Sequence, residues 1–242
     1  CVATYEYRSR RIYKCKECGS QFSLTTGTIF ASRKLSIRDL LAAIAIFVNG
    51  AKGISALQLS RDLDVQYKTA FVLAHKLREA MGAEMKNRMV SGHVEIDGAY
   101  FGGYIKPNNR KVDRIDRRLA INKTGKRRAV VVMRERGGKT LPVVFHNEES
   151  SLRTVVRRVA GGSTVYADEA QCWDPLHVHF EAKRVSHNRE FKNKDACTNQ
   201  AESFFSRLRR MEIGTHHHIS GKYLQSYANE AAWRRSRAMS LL

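Results

Sequence analysis

Three carboxylates are placed where they could do chemistry together. Asp97 lies inside the run HVEIDGAY, Asp168 closes STVYAD, and Glu202 comes early in NQAESFFSRLRR. Asp97 is flanked by apolar β-type residues, where a charge is costly unless something pairs with it. Hard oxygen ligands that leave positions open for water suit Mg²⁺ or Mn²⁺. Two such ions about 4 Å apart can activate an attacking oxygen and stabilise a leaving one in a phosphodiester displacement. Glu169 adjoins Asp168 and becomes the alternative ligand if that strand ends one residue later. Glu95 shares a face with Asp97 but lies deeper, which suits a supporting or surface role.

A second constellation is made of thiols. The five cysteines are at positions 1, 15, 18, 172 and 197. Cys15-Lys-Glu-Cys18-Gly19 has the shape of a zinc knuckle, with two thiolates able to grip one tetrahedral ion and a glycine for the turn behind them. A ribbon needs a second pair. Cys1 is read as the last ligand of a first pair whose other member lies upstream of the given sequence. The alternative, a redox pair, wants a β-α-β setting that this stretch lacks. Cys172 and Cys197 follow no pattern and read as buried or incidental.

These residues need elements to hold them. Ser36-Ile-Arg-Asp39 is a plausible capping box, followed by Leu40, Leu41, Ile44, Phe47 and Val48 at helical spacing. A short helix over about 55–63, a turn at Asp64-Val65 and a longer helix over about 66–81 have the anatomy of a helix-turn-helix. Gln66, Tyr67, Lys68 and Thr69 would open its recognition helix against DNA. From His93 the period changes to two: Val94 and Ile96 face one way, Glu95 and Asp97 the other. The runs 129–133 and 141–145 read as a hairpin around a Gly-Gly turn. A helix over 151–160, a strand over 163–167, a further strand within 178–185 and two closing helices, about 198–211 and 222–239, complete the pattern. This order of elements predicts an α/β chain with a ribonuclease-H-like domain. In such a sheet the first and fourth strands are central neighbours, so Asp97 and Asp168 can converge while the helix bearing Glu202 packs across.

Composition agrees with a nucleic-acid partner. The 242 residues carry 43 Lys and Arg against 23 Asp and Glu, a formal charge of +20. Residues 106–128 alone hold ten Lys or Arg against two Asp, in a loop expected to lie in solvent. Such an excess suits an anionic partner; the plainer alternative is charge that serves only solubility. With 43% hydrophobic residues the chain is no disordered segment. No apolar run approaches the ~18–20 residues of a membrane span, and no signal segment is evident, so a cytoplasmic location without membrane contact is expected.

At this point a resemblance becomes specific. The segments YKCKECGSQFSLTTGTIF, VEIDGAYFGGYIKP, VYADEAQCW, NQAESFFSRLRR and GTHHHISGKYLQSYANEAAWRR resemble, in order and over nearly the whole chain, a bacterial insertion-sequence DDE transposase of the zinc-ribbon-bearing, ISXO-two-like branch. The resemblance implies a ribonuclease-H-like enzyme that cuts DNA at the ends of a mobile element and joins the 3′ ends to target DNA. It implies Asp97 and Asp168 as the two aspartates, with Mg²⁺ or Mn²⁺ for catalysis and structural Zn²⁺ at Cys1, Cys15 and Cys18. It also implies a homodimer or higher assembly on double-stranded DNA, in the nucleoid of a bacterial cell. Between Asp168 and Glu202 lie 33 residues, close to the separation common in such enzymes. Asn199 is the alternative third ligand, one helical turn before Glu202; its amide oxygen brings no charge to hold a second cation. Arg209, two turns beyond Glu202 on the same face, can reach a phosphate, as can Arg210; a solvated basic helix is the bland alternative. His216, His217 and His218 are expected to contact DNA or to position the last helix, while Trp173 and Trp233 read as core.

The expected division is a zinc ribbon over 1–33, a helical DNA-binding region over 34–88 and the catalytic domain over 89–242. Two other functions fit the same residues: a catalytically silent DNA-binding regulator, and a metal-dependent nuclease without strand transfer.

Overall fold

The structure, a computed structural model, describes residues 3–102, 110–115, 125–185 and 197–239. The chain divides into two compact units, one of residues 1–49 and 56–80, the other of 50–55 and 81–242.

The first unit opens with a three-stranded antiparallel sheet: β1 (Thr4–Tyr7), β2 (Ile12–Cys15) and β3 (Gln21–Phe22), in the order β1-β2-β3. Cys15 is buried and Cys18 exposed in the turn between β2 and β3, where the N–H of Gly19 bonds to the carbonyl of Cys15 at 3.2 Å. Gly19 has φ +71°, which a residue with a Cβ adopts only with strain. Three helices follow: α1 (Ile37–Asn49), α2 (Ala56–Asp62) and α3 (Tyr67–Met85). Ser36 caps α1 as its sequence suggests, its Oγ accepting the N–H of Asp39 at 3.1 Å. Leu40, Ala43 and Leu73 are buried together, with Phe30, Leu35 and Leu63 packed around them. Helix α3 runs one turn further than its apolar pattern predicts, to Met85.

The second unit is built on a five-stranded mixed sheet. Its strands are β4 (His93–Phe101), β5 (Arg128–Glu135), β6 (Thr140–Phe145), β7 (Thr164–Asp168) and β8 (Glu181–Val185), in the order β6-β5-β4-β7-β8. Strand β5 is antiparallel to both β4 and β6, and β7 and β8 run parallel to β4. The interior position of β5 explains its nearly unbroken apolar sequence AVVVM, because both faces are covered. Pro142, which cannot donate to a ladder, stands on the edge strand β6.

Helix α4 (Leu152–Arg158) connects the hairpin to β7, and α5 (Asn199–Met211) and α6 (Leu224–Met239) close the unit. Helix α6 seals the β6 edge: the Gln225 side chain accepts the N–H of Val144 at 2.9 Å and donates to the Pro142 carbonyl at 3.0 Å. Edge groups covered this way no longer offer a template to another strand. One core joins sheet and helices, with Ile96, Val131, Trp173, Phe204, Leu208 and Leu224 fully buried in it.

The expected element order therefore stands, with the last strand narrowed to Glu181–Val185 because residues 171–178 coil as a 3₁₀ helix. Most of the basic stretch 106–128 lies outside the described residues, as does Cys1; of the described part, 110–115 and 125–127 are exposed and Arg128 is half-buried. Among the described residues no helix is long and apolar enough to cross a membrane.

Candidate functional site

The parallel pairing of β4 with β7 runs from His93 opposite Thr164 to Ile96 opposite Ala167. Asp97 and Asp168 are the next residues on each strand, so the ladder delivers both carboxylates to the same edge of the sheet centre. Glu202 comes from the first turn of α5, whose buried face is Ala201, Phe204, Phe205, Leu208 and Met211. That i, i+3, i+4, i+7 stripe is pressed on the core. The neighbouring stripe, Glu202, Ser206 and Arg209, is thereby turned to a cleft of about 750 Å³ that Asp97 also lines. Arg210, Thr215 and Lys52 complete its polar wall. The Arg209 guanidinium lies 5.9 Å from the ring centre of Phe101, a cation–π contact that steadies it.

The electrostatics of this edge are those of crowded like charges. Burial is the main cause that pushes the Asp97 carboxyl from its ordinary 3.8 up to about 6. A 2.7 Å hydrogen bond from the Gly98 N–H opposes the shift, and the charges of Asp168, Glu202 and Glu148 add to it. Asp168 accepts the N–H of Ala170 at 3.2 Å. The carboxyl of Glu148 is likewise pushed up, by burial and then by Asp168. Among the described residues no three histidine, cysteine or acidic side chains are drawn together closely enough to hold one metal ion.

Asn199 stands exposed at the first position of α5, outside the residues that line the cleft, and Glu169 is exposed beyond β7. His216 packs edge-on against Tyr227 at 4.7 Å, so it steadies α6. Trp173 is fully buried and Trp233 half-buried. In the first unit Gln66, Tyr67 and Lys68 are exposed at the start of α3, with Thr69 half-buried behind them. The Cys18 thiol is lowered to about 7, chiefly by hydrogen bonds from Ser20.

Five residues have partners or a place in the structure that their sequence does not mark. Glu148 sits in the acidic run before α4, where an acid at a helix start is unremarkable, yet it packs directly on Gly98: a Cβ there would come within 2.5 Å of its Cδ. Lys52 lies in a loop with no pattern to mark it. Of the supporting and surface roles expected for Glu95, the surface one is excluded, for its side chain is completely buried and ion-paired to Arg136 Nε at 3.1 Å. Cys172 and Cys197, expected to be buried or incidental, are half-buried, and each thiol faces a carboxylate, Glu148 at 3.8 Å and Glu95 at 3.9 Å.

Residues 89–236, more than half of the chain, match the model of the ISXO2-like transposase domain. Across 239 residues the chain is 28% identical to a Halobacterium salinarum protein described as an uncharacterized protein in transposable element ISH50, covering 95% of this chain and 80% of that one. Among solved structures, the Mos1 strand transfer complex shares 10% identity over 82% of this chain and 77% of its own, with a TM-score of 0.28. A pre-cleavage Mos1 transpososome shares 9% over 84% and 78%, with a TM-score of 0.26. Likeness that distant has no weight here; the family match does, and by it the chain belongs to the ISXO2-like transposases.

Proposed function

We propose that this transposase is a DDE enzyme that cuts DNA at the ends of an insertion sequence and joins the freed 3′ ends to target DNA. The observation that carries the reading is the delivery of Asp97 and Asp168 to one sheet edge by neighbouring parallel strands, where Asp97 lines a cleft with Glu202 and three basic side chains. The strand order β6-β5-β4-β7-β8, with the first three strands antiparallel, supports a ribonuclease-H-like catalytic domain over 89–242.

The donor chemistry fits Mg²⁺ or Mn²⁺. Asp97, Asp168 and Glu202 offer only hard oxygens; burial raises Asp97 first, and the repulsion from its acidic neighbours that adds to the rise is what a divalent cation relieves. Bound there, such cations would activate the attacking oxygen and stabilise the leaving one. The chain's own part is to hold the three carboxylates on rigid elements and to place Lys52, Arg209 and Arg210 against the phosphates of the strand being cut. Because water and a 3′-hydroxyl are both oxygen nucleophiles, one carboxylate site can serve cleavage and then joining.

The first unit is the DNA-binding part in this reading. A region over 34–88 presents Gln66, Tyr67, Lys68 and Thr69 at the start of α3, and a ribbon over 1–33 uses Cys1, Cys15 and Cys18 for Zn²⁺. A thiol lowered to about 7 favours the thiolate that zinc requires. The partner is double-stranded DNA, both element ends and target. Bringing two ends together calls for a homodimer or larger assembly, working on the bacterial nucleoid in the cytoplasm.

The test is nicking of supercoiled plasmid bearing an element end, with Mn²⁺, followed by strand transfer of a pre-cut end into a second plasmid. Nicking and joining, both lost in Asp97→Ala at equal DNA occupancy, are the expected result. Nicking without joining would make the protein a nuclease, and DNA binding without either a silent regulator.

A further inference from the structure

Helix α5 begins without a cap of its own. Thr198, at its N-cap, makes no side-chain hydrogen bond to the first turn, and a helix so started leaves N–H groups needing acceptors. The acceptor arrives from β4. Glu95 Oε2 takes the N–H of Gln200 at 2.8 Å and that of Ala201 at 3.1 Å, across more than a hundred residues of sequence. A carboxylate in this place also complements the positive end of a 13-residue helix.

The other oxygen of Glu95 is held as firmly. Its Oε1 receives Arg136 Nε at 3.1 Å. Arg136 in turn donates from Nη2 to the Cys197 carbonyl at 3.1 Å and lies 3.9 Å over the ring of Tyr166. Tyr166 is the register partner of Glu95 across the β4–β7 ladder. One fully buried carboxylate thus ties β4, the turn after β5 and the start of α5. Glu230, the other fully buried acid among the described residues, pairs with Arg234 one turn along its own helix.

Position in the chain gives this clamp its meaning. Glu95 stands two residues before Asp97 on one strand, and Gln200 and Ala201 immediately precede Glu202. We propose that Glu95 is a positioning residue, whose bonds to the first turn of α5 set where Glu202 stands relative to Asp97. The proposal rests on the reading of Asp97 and Glu202 as metal-holding groups. A buried ion pair that served folding alone could be replaced without consequence for the cleft. This one cannot be loosened without freeing the helix turn that bears Glu202.

Glu95→Gln tests it, since glutamine keeps the shape but turns an NH₂ toward either the helix amides or Arg136. Three readings are taken on the full chain: amide hydrogen exchange along α5, Mn²⁺ binding by water-proton relaxation, and Tm. The expected result is at least tenfold faster exchange at Gln200 and Ala201, with Phe204 and Leu208 little changed, and a Kd for Mn²⁺ raised about tenfold. Unchanged exchange at Gln200 and Ala201 overturns the clamp. A lowered Tm with the Mn²⁺ Kd within twofold of wild type overturns the positioning role and leaves Glu95 a folding residue. Should Glu95→Gln fail to fold, Arg136→Gln loosens the same carboxylate from its partly exposed side; about a threefold weaker Mn²⁺ Kd is expected, and no change overturns the proposal. Wild-type protein that binds no Mn²⁺ would instead refute the metal-site reading, and the positioning role with it, while exchange at Gln200 still shows whether the clamp exists.

Discussion

Ile96 and Ala167 face each other in the parallel ladder between β4 and β7, and Asp97 and Asp168 each follow one of them. Two acids are thus brought side by side by strand register, a constraint that side-chain motion alone cannot undo. If both act on one phosphodiester, Asp97→Asn and Asp168→Asn should behave alike. Each is expected to lower Mn²⁺-dependent nicking by at least about a thousandfold, the scale of losing several kcal/mol of transition-state stabilisation. DNA affinity, measured by gel shift in the same buffer, should stay within about threefold. Nicking within tenfold of wild type in either variant would remove that aspartate from the site.

Asp97 also makes a prediction about stability without metal. Its carboxyl is raised from 3.8 to about 6 in the folded protein, first by burial. The folded chain therefore holds a proton that the unfolded chain has released, and stability falls as pH rises from about 4 to 6. The loss at neutral pH is on the order of 3 kcal/mol. In EDTA, wild-type Tm should drop across this window, and Asp97→Asn should show a smaller drop and a higher Tm at pH 7.5. The same substitution thus stabilises the fold and abolishes the chemistry. Parallel pH–Tm curves for the two proteins would show that the carboxyl is not held up by its surroundings.

Glu202 and Asn199 share the first turn of α5 but differ in outlook. Glu202 lines the cleft with Asp97 and acts on its charge, whereas Asn199 is exposed at the helix start. Glu202→Gln should reduce nicking about a hundredfold or more, and Asn199→Ala should leave it within about threefold. The reverse ranking would make Asn199 the third ligand. Measuring both variants in Mg²⁺ and in Mn²⁺ separates a weakened metal site, partly rescued by one ion, from a broken helix, rescued by neither.

The two strands and one helix that carry these acids were legible because each follows a local rule. VEIDGAYF alternates, STVYAD is a short β-branched run, and Ala201, Phe204, Phe205 and Leu208 repeat at helical spacing. The partners of Glu95 lie where local rules cannot reach. Alternation places it on a face, but its partners are amides of Gln200 and Ala201 and a guanidinium at Arg136, all chosen by tertiary packing. Glu148 was invisible for a related reason, since Glu148 and Glu149 look like ordinary acids at a helix start. Only the open side of Gly98, against which Glu148 packs, shows that one of them faces Asp97.

Lys52 joins the cleft from a short loop, Gly50–Ser55, that belongs with the second unit although α1 before it and α2 after it belong to the first. Its ammonium is a point charge on a flexible stem, suited to a phosphate rather than to a fixed carboxylate fork. If it neutralises one phosphate of the strand being cut, Lys52→Ala should weaken DNA binding roughly tenfold at low salt. The slope of log affinity against log salt should then become shallower by about 0.9, the share of one phosphate contact. Arg209 differs, because its guanidinium is pinned over Phe101 beside Glu202. Arg209→Lys keeps the charge but loses the planar contact, so it should lower the nicking rate at saturating DNA more than it lowers affinity. Equal effects of Arg209→Lys on rate and affinity would place Arg209 with Lys52 as a general phosphate contact and leave the alignment of the cut strand to the carboxylates alone.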